Sequence, residues 1–155
     1  MNNELLFRRA TQADLPAIVH MLADDELGSR RERLENPLPE AYFKALDAIQ
    51  ADGNHELIVA ELNGEVVGSL HLMFLPSISF QGGLRSQVES VRVASKHRGR
   101  GIGAQMMEYA IARARERGAH VMQLTSHETR KDAHRFYERL GFKKAHVGMK
   151  LNLKE

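Results

Sequence analysis

The feature that most constrains the fold is a hairpin near the middle of the chain. Residues 55–62 and 65–75 are rich in Val, Ile and Leu, and Asn63-Gly64 joins them. Asn-Gly is the preferred dipeptide of two-residue hairpin turns, so the two segments predict neighbouring antiparallel strands. Such antiparallel neighbours mean that the sheet is not doubly wound throughout. We therefore expect a mixed sheet.

Apolar patterns on both sides of this hairpin predict the order β-α-α-β-β-β-α-β-α-β, without an internal repeat. Thr11 and Asp14 have the spacing of a capping box at the first helix. The predicted elements are a strand beginning at residue 5, helices at 15–22 and 40–51, the hairpin strands, a strand at 86–93, a helix ending at Gly118, a strand at 121–124, a helix at 133–140, and one or two strands in the tail at 142–153. Segments 24–39 and 76–85 are predicted loops. We expect an α/β fold whose mixed, largely antiparallel sheet is flanked by helices.

Composition excludes several classes of protein. The chain has 155 residues, 43% hydrophobic and 27% charged, with no cysteine. A chain this long buries about two-thirds of its unfolded surface, so we expect one domain over residues 1–155. Disulfides, thiolate nucleophiles and cysteine zinc sites are excluded. The net charge of +2 does not predict nucleic-acid binding. No apolar run approaches the ~18 residues of a membrane helix, and no signal peptide is recognisable, so we expect a cytoplasmic protein that does not bind membranes.

A glycine-rich turn carries the strongest functional signal. Gly99, Gly101 and Gly103 lie between a Val-rich strand and a helix, with Arg98 and Arg100 beside them. Such a turn exposes backbone N–H groups at a helix N-terminus, where an anion such as a pyrophosphate is favoured. The alternative is that the glycines only allow tight packing.

One anion-binding interpretation is a nicotinamide-dinucleotide site. Gly99-x-Gly101-x-x-Ala104 satisfies the relaxed dinucleotide fingerprint. That fingerprint belongs in a parallel βαβ unit whose second strand is followed by an acidic residue. Here it follows antiparallel strands, and the next strand ends in Leu124-Thr125-Ser126. The sequence favours this interpretation only weakly.

The other interpretation rests on a resemblance. Arg98-x-x-Gly101-x-Gly103 resembles the acetyl-CoA motif of the GCN5-related N-acetyltransferases, and the block from Ala133 to Phe142 resembles that family's C-terminal segment. Both blocks occur in the family's order, and the resemblance covers essentially the whole chain. It implies an acetyltransferase fold, acetyl-CoA as cosubstrate, and direct attack of an amine on the thioester.

The resemblance also assigns roles to residues. An amide near Val91 would polarise the thioester carbonyl, and the turn amides would hold the pyrophosphate. The implied cofactor-binding residues are Val91, Arg92, Val93, Arg98, Gly99, Arg100, Gly101, Ile102, Gly103 and Ala104. Glu89 matches the family's general base and Tyr137 its general acid; the alternatives are an ordinary strand residue and a half-buried aromatic. Arg130 stands where many members carry a cofactor-contacting asparagine, so it is expected either to touch CoA or to lie on the surface.

The eight histidines are scattered without the spacing of a zinc site, so we expect no metal. His71 and His127 are candidates for the acceptor side, as a secondary base or substrate contact. The Arg130–Tyr137 run is similar to that of aminoalkylphosphonate acetyltransferases, which implies a small amine with an anionic group. Such an anion would be bound by arginines on predicted loops, whose alternative role is as solvated charges: Arg30, Arg31, Arg33 and Arg85.

The sequence therefore predicts transfer of an acetyl group from acetyl-CoA to a primary amine of a small molecule or peptide. The alternatives are a non-catalytic acetyl-CoA-binding module and, less favoured, a nicotinamide-dinucleotide-binding domain. The acceptor and the oligomeric state stay open, although dimers are common in the family and a homodimer is one expectation.

Overall fold

The structure is a computed structural model that describes residues 4–154. The chain divides into two compact units, Met1–Gln123 and Leu124–Glu155. In the first unit the elements are β1 (Leu6–Arg9), α1 (Leu15–Ala23), α2 (Glu26–Arg31), α3 (Glu40–Ala51), β2 (His55–Leu62), β3 (Glu65–Pro76), a distorted single turn α4 (Ser79–Gly82), β4 (Leu84–Val93), α5 (Ile102–Glu116) and β5 (Val121–Gln123). The second unit contains α6 (Lys131–Arg139).

The first unit is built on one five-stranded sheet. Its strands lie in the order β1-β2-β3-β4-β5. The first four are antiparallel neighbours, whereas β5 pairs with β4 in parallel. The hairpin predicted at Asn63-Gly64 joins β2 to β3, with Leu62 opposite Glu65. The predicted mixed, largely antiparallel sheet flanked by helices is confirmed.

Two register shifts interrupt the ladder. The first lies between Ala60 and Glu61 in the β2–β3 pair. The second places one extra residue in β4, because Ser69 is opposite Arg92 while His71 is opposite Glu89. Ser90 lies at the second shift with a φ of 54°. A bulge of this kind leaves its extra residue unpaired and bends the strand.

Helices cover both faces of the sheet. On one face, α1 packs Ile18 and Met21 against Val59 of β2, and Leu46 of α3 joins a buried cluster with Leu15 of α1. On the other face, α5 buries three large side chains and two alanines: Ile102, Met106, Met107, Ala110 and Ala114. Each large apolar side chain removed from water in this way contributes about 1.5–3 kcal/mol.

A close approach of α5 to the sheet depends on Gly68. A Cβ at this position of β3 would lie 2.5 Å from Sδ of Met106 and 3.1 Å from the carbonyl oxygen of Arg92. An added side chain would force the flexible Met106 side chain to shift, so glycine here lets Met106 of α5 pack tightly against β3.

Two predicted loops contain more structure than expected. The segment 24–39 includes α2, whose N-cap Asp25 accepts a hydrogen bond from the Gly28 amide. The segment 76–85 is shortened because β4 begins at Leu84, and Arg85 therefore lies on a strand. A short capped helix and a strand extension have little periodicity of their own.

The second unit corrects the prediction for the tail. Residues 142–154 contain no strand in the part of the chain that the structure describes. The alternation that suggested one is present, but its apolar side chains are 83–92% exposed: Val147, Met149, Leu151 and Leu153. Alternation predicts a strand only where a ladder partner and a buried face exist, and the described tail has neither.

Candidate active site

One edge of β4 is open beside its C-terminal half. On one side β4 pairs with β3 over most of its length. On the other side it pairs with β5 only at Arg85, Ser86 and Gln87. In the described chain no strand covers this edge over residues 88–93. An extended ligand can lie along such an edge and pair with its backbone, as an added strand does.

The bulge lies within this open stretch. Between residues 4 and 154, the β3–β4 register pairs neither Ser90 nor Val91. The Val91 carbonyl accepts a hydrogen bond of 3.0 Å from Nη1 of Arg92. The Val93 carbonyl accepts one of 3.2 Å from Nε of Arg98. Each carbonyl can accept a second hydrogen bond, so a ligand amide can pair with it beside the guanidinium.

β4 leads through a 3-10 turn at Ser95–His97 into the glycine turn and the N-terminus of α5. Gly101 is the N-cap, with a φ of 76° and no side chain to satisfy the first amides. The Gln105 amide donates to the Gly101 carbonyl at 3.2 Å, so the amides of residues 102–104 precede the first helical hydrogen bond. These unpaired N–H groups and the helix dipole favour an anion. Ile102 is buried, so only its backbone can contribute.

Basic side chains surround the turn. Nη2 of Arg98 lies 3.7 Å from the Asp24 carboxylate. Arg100 is exposed and forms no ion pair among residues 4–154. Arg92 does not flank the turn, because the bulge places its side chain on the same face of the sheet as Glu89. Its Nη2 lies 3.9 Å from the Asp25 carboxylate. Of the predicted cofactor arginines, Arg98 and Arg100 flank the turn and Arg92 lies on the face of the proposed base.

A row of polar side chains follows one face of β4. Alternate residues of a strand share a face, so Arg85, Gln87 and Glu89 lie in line. Nε2 of Gln87 donates to the Glu89 carboxylate at 2.7 Å. Nε2 of Gln123, on β5, donates to Oε1 of Gln87 at 2.9 Å. The two amides hold the Glu89 carboxylate in place while the residue stays exposed to a ligand.

Two histidines continue this polar face across β3 and β2. His71 is opposite Glu89 in the β3–β4 register. Its Nε2 lies 3.0 Å from Nδ1 of His55. Burial lowers the pKa of His71 and the neighbouring His55 lowers it further, whereas the Glu89 carboxylate raises it. At neutral pH the His71 ring is therefore uncharged.

The Nε atom of Arg85 is buried and has no hydrogen-bond partner within residues 4–154. The other arginines considered for an anionic acceptor are neutralised locally. Arg30 pairs with Glu26, Arg31 with Glu32 and Arg33 with Glu35; the three distances are 2.9, 2.8 and 2.6 Å. Arg85 is thus the strongest candidate of the four for a ligand anion.

The second unit carries the two remaining predicted site residues. Tyr137 lies on α6, with its ring edge-on to Phe136 and Phe142 at centroid distances of 5.2 and 5.8 Å. Arg130 is the N-cap of this helix. His127 precedes the helix, and its Nδ1 lies 2.8 Å from Oγ1 of Thr129. Their roles stay predictions.

Comparison with known proteins decides the family. The sequence model of the Acetyltransferase (GNAT) family matches residues 17–142. The chain belongs to the GNAT family. The aminoalkylphosphonate N-acetyltransferase of Salmonella typhimurium is 34% identical over 143 residues, which are 90% of this chain and 85% of that protein.

Other relatives agree with this assignment. An L-methionine sulfoximine/L-methionine sulfone acetyltransferase of Pseudomonas paraeruginosa is 33% identical and covers 87% of this chain and 78% of its own. A transcriptional regulator from Bacillus halodurans, known from its crystal structure, is 50% identical in sequence. The two structures match with a TM-score of 0.93 over 97% of this chain and all of that one. The GNAT fold is therefore shared over nearly the whole sequence.

For this GNAT protein the dinucleotide interpretation is not supported. β4, α5 and β5 do form a parallel βαβ unit, contrary to the expectation that the turn lies outside one. However, β5 ends at Gln123 and is followed by Leu124, Thr125 and Ser126, none of which is acidic. The carboxylate that would bind a ribose is missing there.

Sequence reasoning missed His55, Gln87 and Gln123. Gln87 is two residues from Glu89 on a predicted strand, so period-two alternation could have placed it on the same face. His55 could not be placed in this way, because its contact with His71 depends on a register shift.

No group of three or more His, Asp or Glu side chains in the described chain is arranged to hold a metal ion. None of its helices is long and apolar enough to cross a membrane.

Proposed function

We propose that this protein is an acetyl-CoA-dependent N-acetyltransferase whose acceptor is a small primary amine bearing an anionic group. The observation that carries the proposal is the open β4 edge running into the uncapped N-terminus of α5. The edge offers backbone groups to the pantetheine arm, and the turn offers amides to the pyrophosphate. The proposal takes residues 1–155 as one acetyltransferase domain, acting in the cytoplasm.

The proposed cofactor residues divide by the part of CoA that they meet. The backbone of Val91 and Val93 runs beside the pantetheine arm. The amides from Gly99 to Ala104 hold the pyrophosphate, with the guanidinium groups of Arg98 and Arg100 nearby. A backbone amide at the bulge, near Val91, donates to the thioester carbonyl as charge develops on its oxygen. Such a donor contributes about 3–4 kcal/mol to transition-state stabilisation.

Glu89 is the proposed general base. A substrate ammonium with a pKa near ~10.4 must lose a proton before its nitrogen can attack. The Glu89 carboxylate is exposed and held by Gln87, which suits it to take that proton directly or through one water. The amine nitrogen then forms a bond to the thioester carbon, and the C–S bond breaks. No covalent enzyme intermediate is needed.

Tyr137 is the proposed general acid. It matches the family tyrosine in the Ala133–Phe142 block, and it protonates the departing CoA thiolate. Arg130, at the start of the same helix, is proposed to contact CoA in place of the asparagine common in the family. Both assignments rest on the family match.

The anionic acceptor is supported by Arg85. Its buried Nε has no partner among residues 4–154, and it lies four residues from Glu89 on the same face of β4, about 13 Å along the strand. A guanidinium binds a carboxylate or phosphonate well. The relatives named for aminoalkylphosphonates and for methionine sulfoximine or sulfone act on small amines that carry such groups.

A second candidate is a regulatory module that binds acetyl-CoA without turnover. The name of the Bacillus halodurans relative, a transcriptional regulator, favours it. The two candidate functions share the proposed acetyl-CoA site at the β4 edge and the glycine turn. They differ in whether an amine is consumed.

The test is CoA release from acetyl-CoA with a matched panel of amines: 2-aminoethylphosphonate, methionine sulfone, and propylamine as the uncharged analogue. We expect release with an anionic amine, little with propylamine, and loss of release in Glu89→Gln. The Glu65→Gln variant, at the exposed first residue of β3, is the control. Tight acetyl-CoA binding without release for any amine would favour the regulatory module.

A further inference from the structure

The His55–His71 pair lies next to the proposed base and has no part in the steps above. The rings are joined by a 3.0 Å contact between Nδ1 of His55 and Nε2 of His71, with centroids 5.1 Å apart. A neutral imidazole donates from one nitrogen and accepts at the other. Since His71 contacts His55 through Nε2, its Nδ1 is the nitrogen that can take a proton from elsewhere.

A carboxylate lies on each side of the histidine pair. On the β4 side His71 faces Glu89, which Gln87 contacts. On the far side, Nε2 of His55 lies 3.6 Å from the Asp52 carboxylate. Asp52 is more than half exposed, whereas the His55 side chain is 31% exposed. The pair thus lies between Glu89 and a carboxylate at the surface.

Other elements add little charge near the pair. Arg9 of β1, with Leu46, Ile49 and Gln50 of α3, lines a small cavity that also touches His55. Arg9 itself is mostly exposed and lies 3.7 Å from Glu56. The titratable groups that bear on the pair are therefore Glu89, Asp52 and, at the rim of the cavity, Arg9.

We propose that His71 and His55 relay the proton that Glu89 takes from the acceptor ammonium to solvent beside Asp52. The inference rests on the proposed role of Glu89 as base. An acceptor bound over Glu89 covers the carboxylate, so the proton needs a path that does not pass through the substrate. Both histidines act only on the proton that Glu89 has already taken, so they are positioning residues and not catalytic residues.

The relay moves one proton from the substrate ammonium to water. The substrate ammonium gives a proton to the Glu89 carboxylate, and the Glu89 carboxyl gives it to Nδ1 of His71. His71 releases its Nε2 proton to Nδ1 of His55, and His55 releases its own Nε2 proton to water at Asp52. Each ring then loses its Nδ1 proton to water and regains one from water at Nε2, which restores the starting tautomers with no net change in protons. No bond other than N–H and O–H changes.

The uncharged state of His71 suits this role. A protonated His71 could not accept from Glu89, and burial together with His55 keeps its pKa below the ordinary value. The relay is therefore open at neutral pH and closes in acid, as His71 becomes protonated.

The first test uses ring titration by NMR and needs no turnover. The His71 and His55 resonances are followed with pH in the wild type, in Glu89→Gln and in the control Glu65→Gln. We expect Glu89→Gln to lower the midpoint of His71, because the carboxylate that raises it is gone, and to leave the midpoint of exposed His20 unchanged. An unchanged His71 titration in Glu89→Gln would overturn the proposal.

The second test measures kcat against pH for 2-aminoethylphosphonate, or for methionine sulfone if that is the amine consumed. His55→Gln and His71→Gln are expected to lower kcat about tenfold and to move the acid limb of the profile, with KM for acetyl-CoA unchanged. His20→Gln is the matched control. Thermal unfolding confirms that each variant is folded.

The outcomes separate the relay from the base. If Glu89→Gln abolishes turnover but both histidine variants keep the wild-type kcat and pH profile, the relay is wrong and the base stands. If Glu89→Gln itself retains full activity, the base is wrong, and the relay fails with it.

Discussion

His71 of β3 lies directly opposite Glu89 of β4, one residue before the bulge at Ser90. The pairing places an uncharged imidazole against the proposed base. It also places both next to the stretch where β4 leaves its ladder and its backbone becomes available to a ligand. The proposed base and the proposed thioester site thus lie next to the same irregularity in β4.

The role of Tyr137 can be tested by removing only its hydroxyl. Tyr137→Phe is expected to lower kcat about 100-fold and to leave KM for acetyl-CoA unchanged, because a positioned acid acts in the transition state. The control is Tyr109→Phe, whose ring stacks on Phe7 at 4.8 Å. Equal loss of kcat and of acetyl-CoA affinity would speak against an acid.

The glycine turn can be tested with two glycines that have the same backbone strain. Gly101 has a φ of 76° and Gly64 a φ of 80°, and neither has an atom within 4 Å of an added Cβ. Alanine at either position costs about 1–2 kcal/mol of stability. Only Gly101→Ala is expected to weaken acetyl-CoA binding, by tenfold or about 1.4 kcal/mol in calorimetry. Equal affinities of the two variants would place the pyrophosphate elsewhere.

Arg85 is expected to select the acceptor. Arg85→Gln removes a charged donor, which is worth about 1.5–3 kcal/mol to a bound anion, so KM for 2-aminoethylphosphonate should rise about 10- to 100-fold. Turnover of propylamine, however slow, should not change. Arg30→Gln, which breaks only an exposed pair with Glu26, is the control. A matching rise in KM for propylamine would assign Arg85 a structural role.

Stability in acid should depend on Asp14. Arg8 contacts its carboxylate through two nitrogens at 2.7 and 3.0 Å, and the Thr11 amide donates to it at 2.7 Å. The hydrogen bond from Arg8 lowers the pKa of Asp14 below its ordinary value. The ionised carboxylate therefore stabilises the fold above the unfolded-state pKa of about 3.9, and this contribution is lost as pH falls through the lower folded-state value.

Asp14→Asn should consequently lower the free energy of unfolding at pH 7 by about 3 kcal/mol, since Arg8 loses its charged partner. Urea denaturation at several pH values measures this. The difference from wild type should shrink as Asp14 becomes protonated in acid. Asp47→Asn, on the exposed side of α3, should have no such effect. A difference that stays constant down to pH 2 would contradict the account.

Much of the fold follows from local patterns in the sequence. α3 begins and ends at the predicted residues 40 and 51, and Asn63-Gly64 forms the predicted turn. These features depend on near neighbours, through apolar spacing, capping and turn chemistry. The glycine turn was recognised for the same reason.

The histidine pair could not be predicted, because it depends on register. Without a register shift, the hairpin turn at Asn63-Gly64 would place His71 opposite Glu56. Glu56 faces α5 and pairs with Arg113 at 3.0 Å. The shift at Ala60 and Glu61 instead sets His71 opposite Leu57, on the same face as His55. A slip of one residue moves a side chain to the other face of a sheet.

The proposed function requires that the β4 edge and the α5 turn bind acetyl-CoA. The most direct measurement is a thermal-shift titration of the wild-type protein with acetyl-CoA, CoA and NADH in parallel. A ligand at 100 times its Kd adds about 2.7 kcal/mol, which raises the Tm of a protein of this size by about 5 °C or more. We predict this rise with acetyl-CoA and CoA and none with NADH. A rise with NADH alone, or no rise with either CoA ligand, would contradict the account.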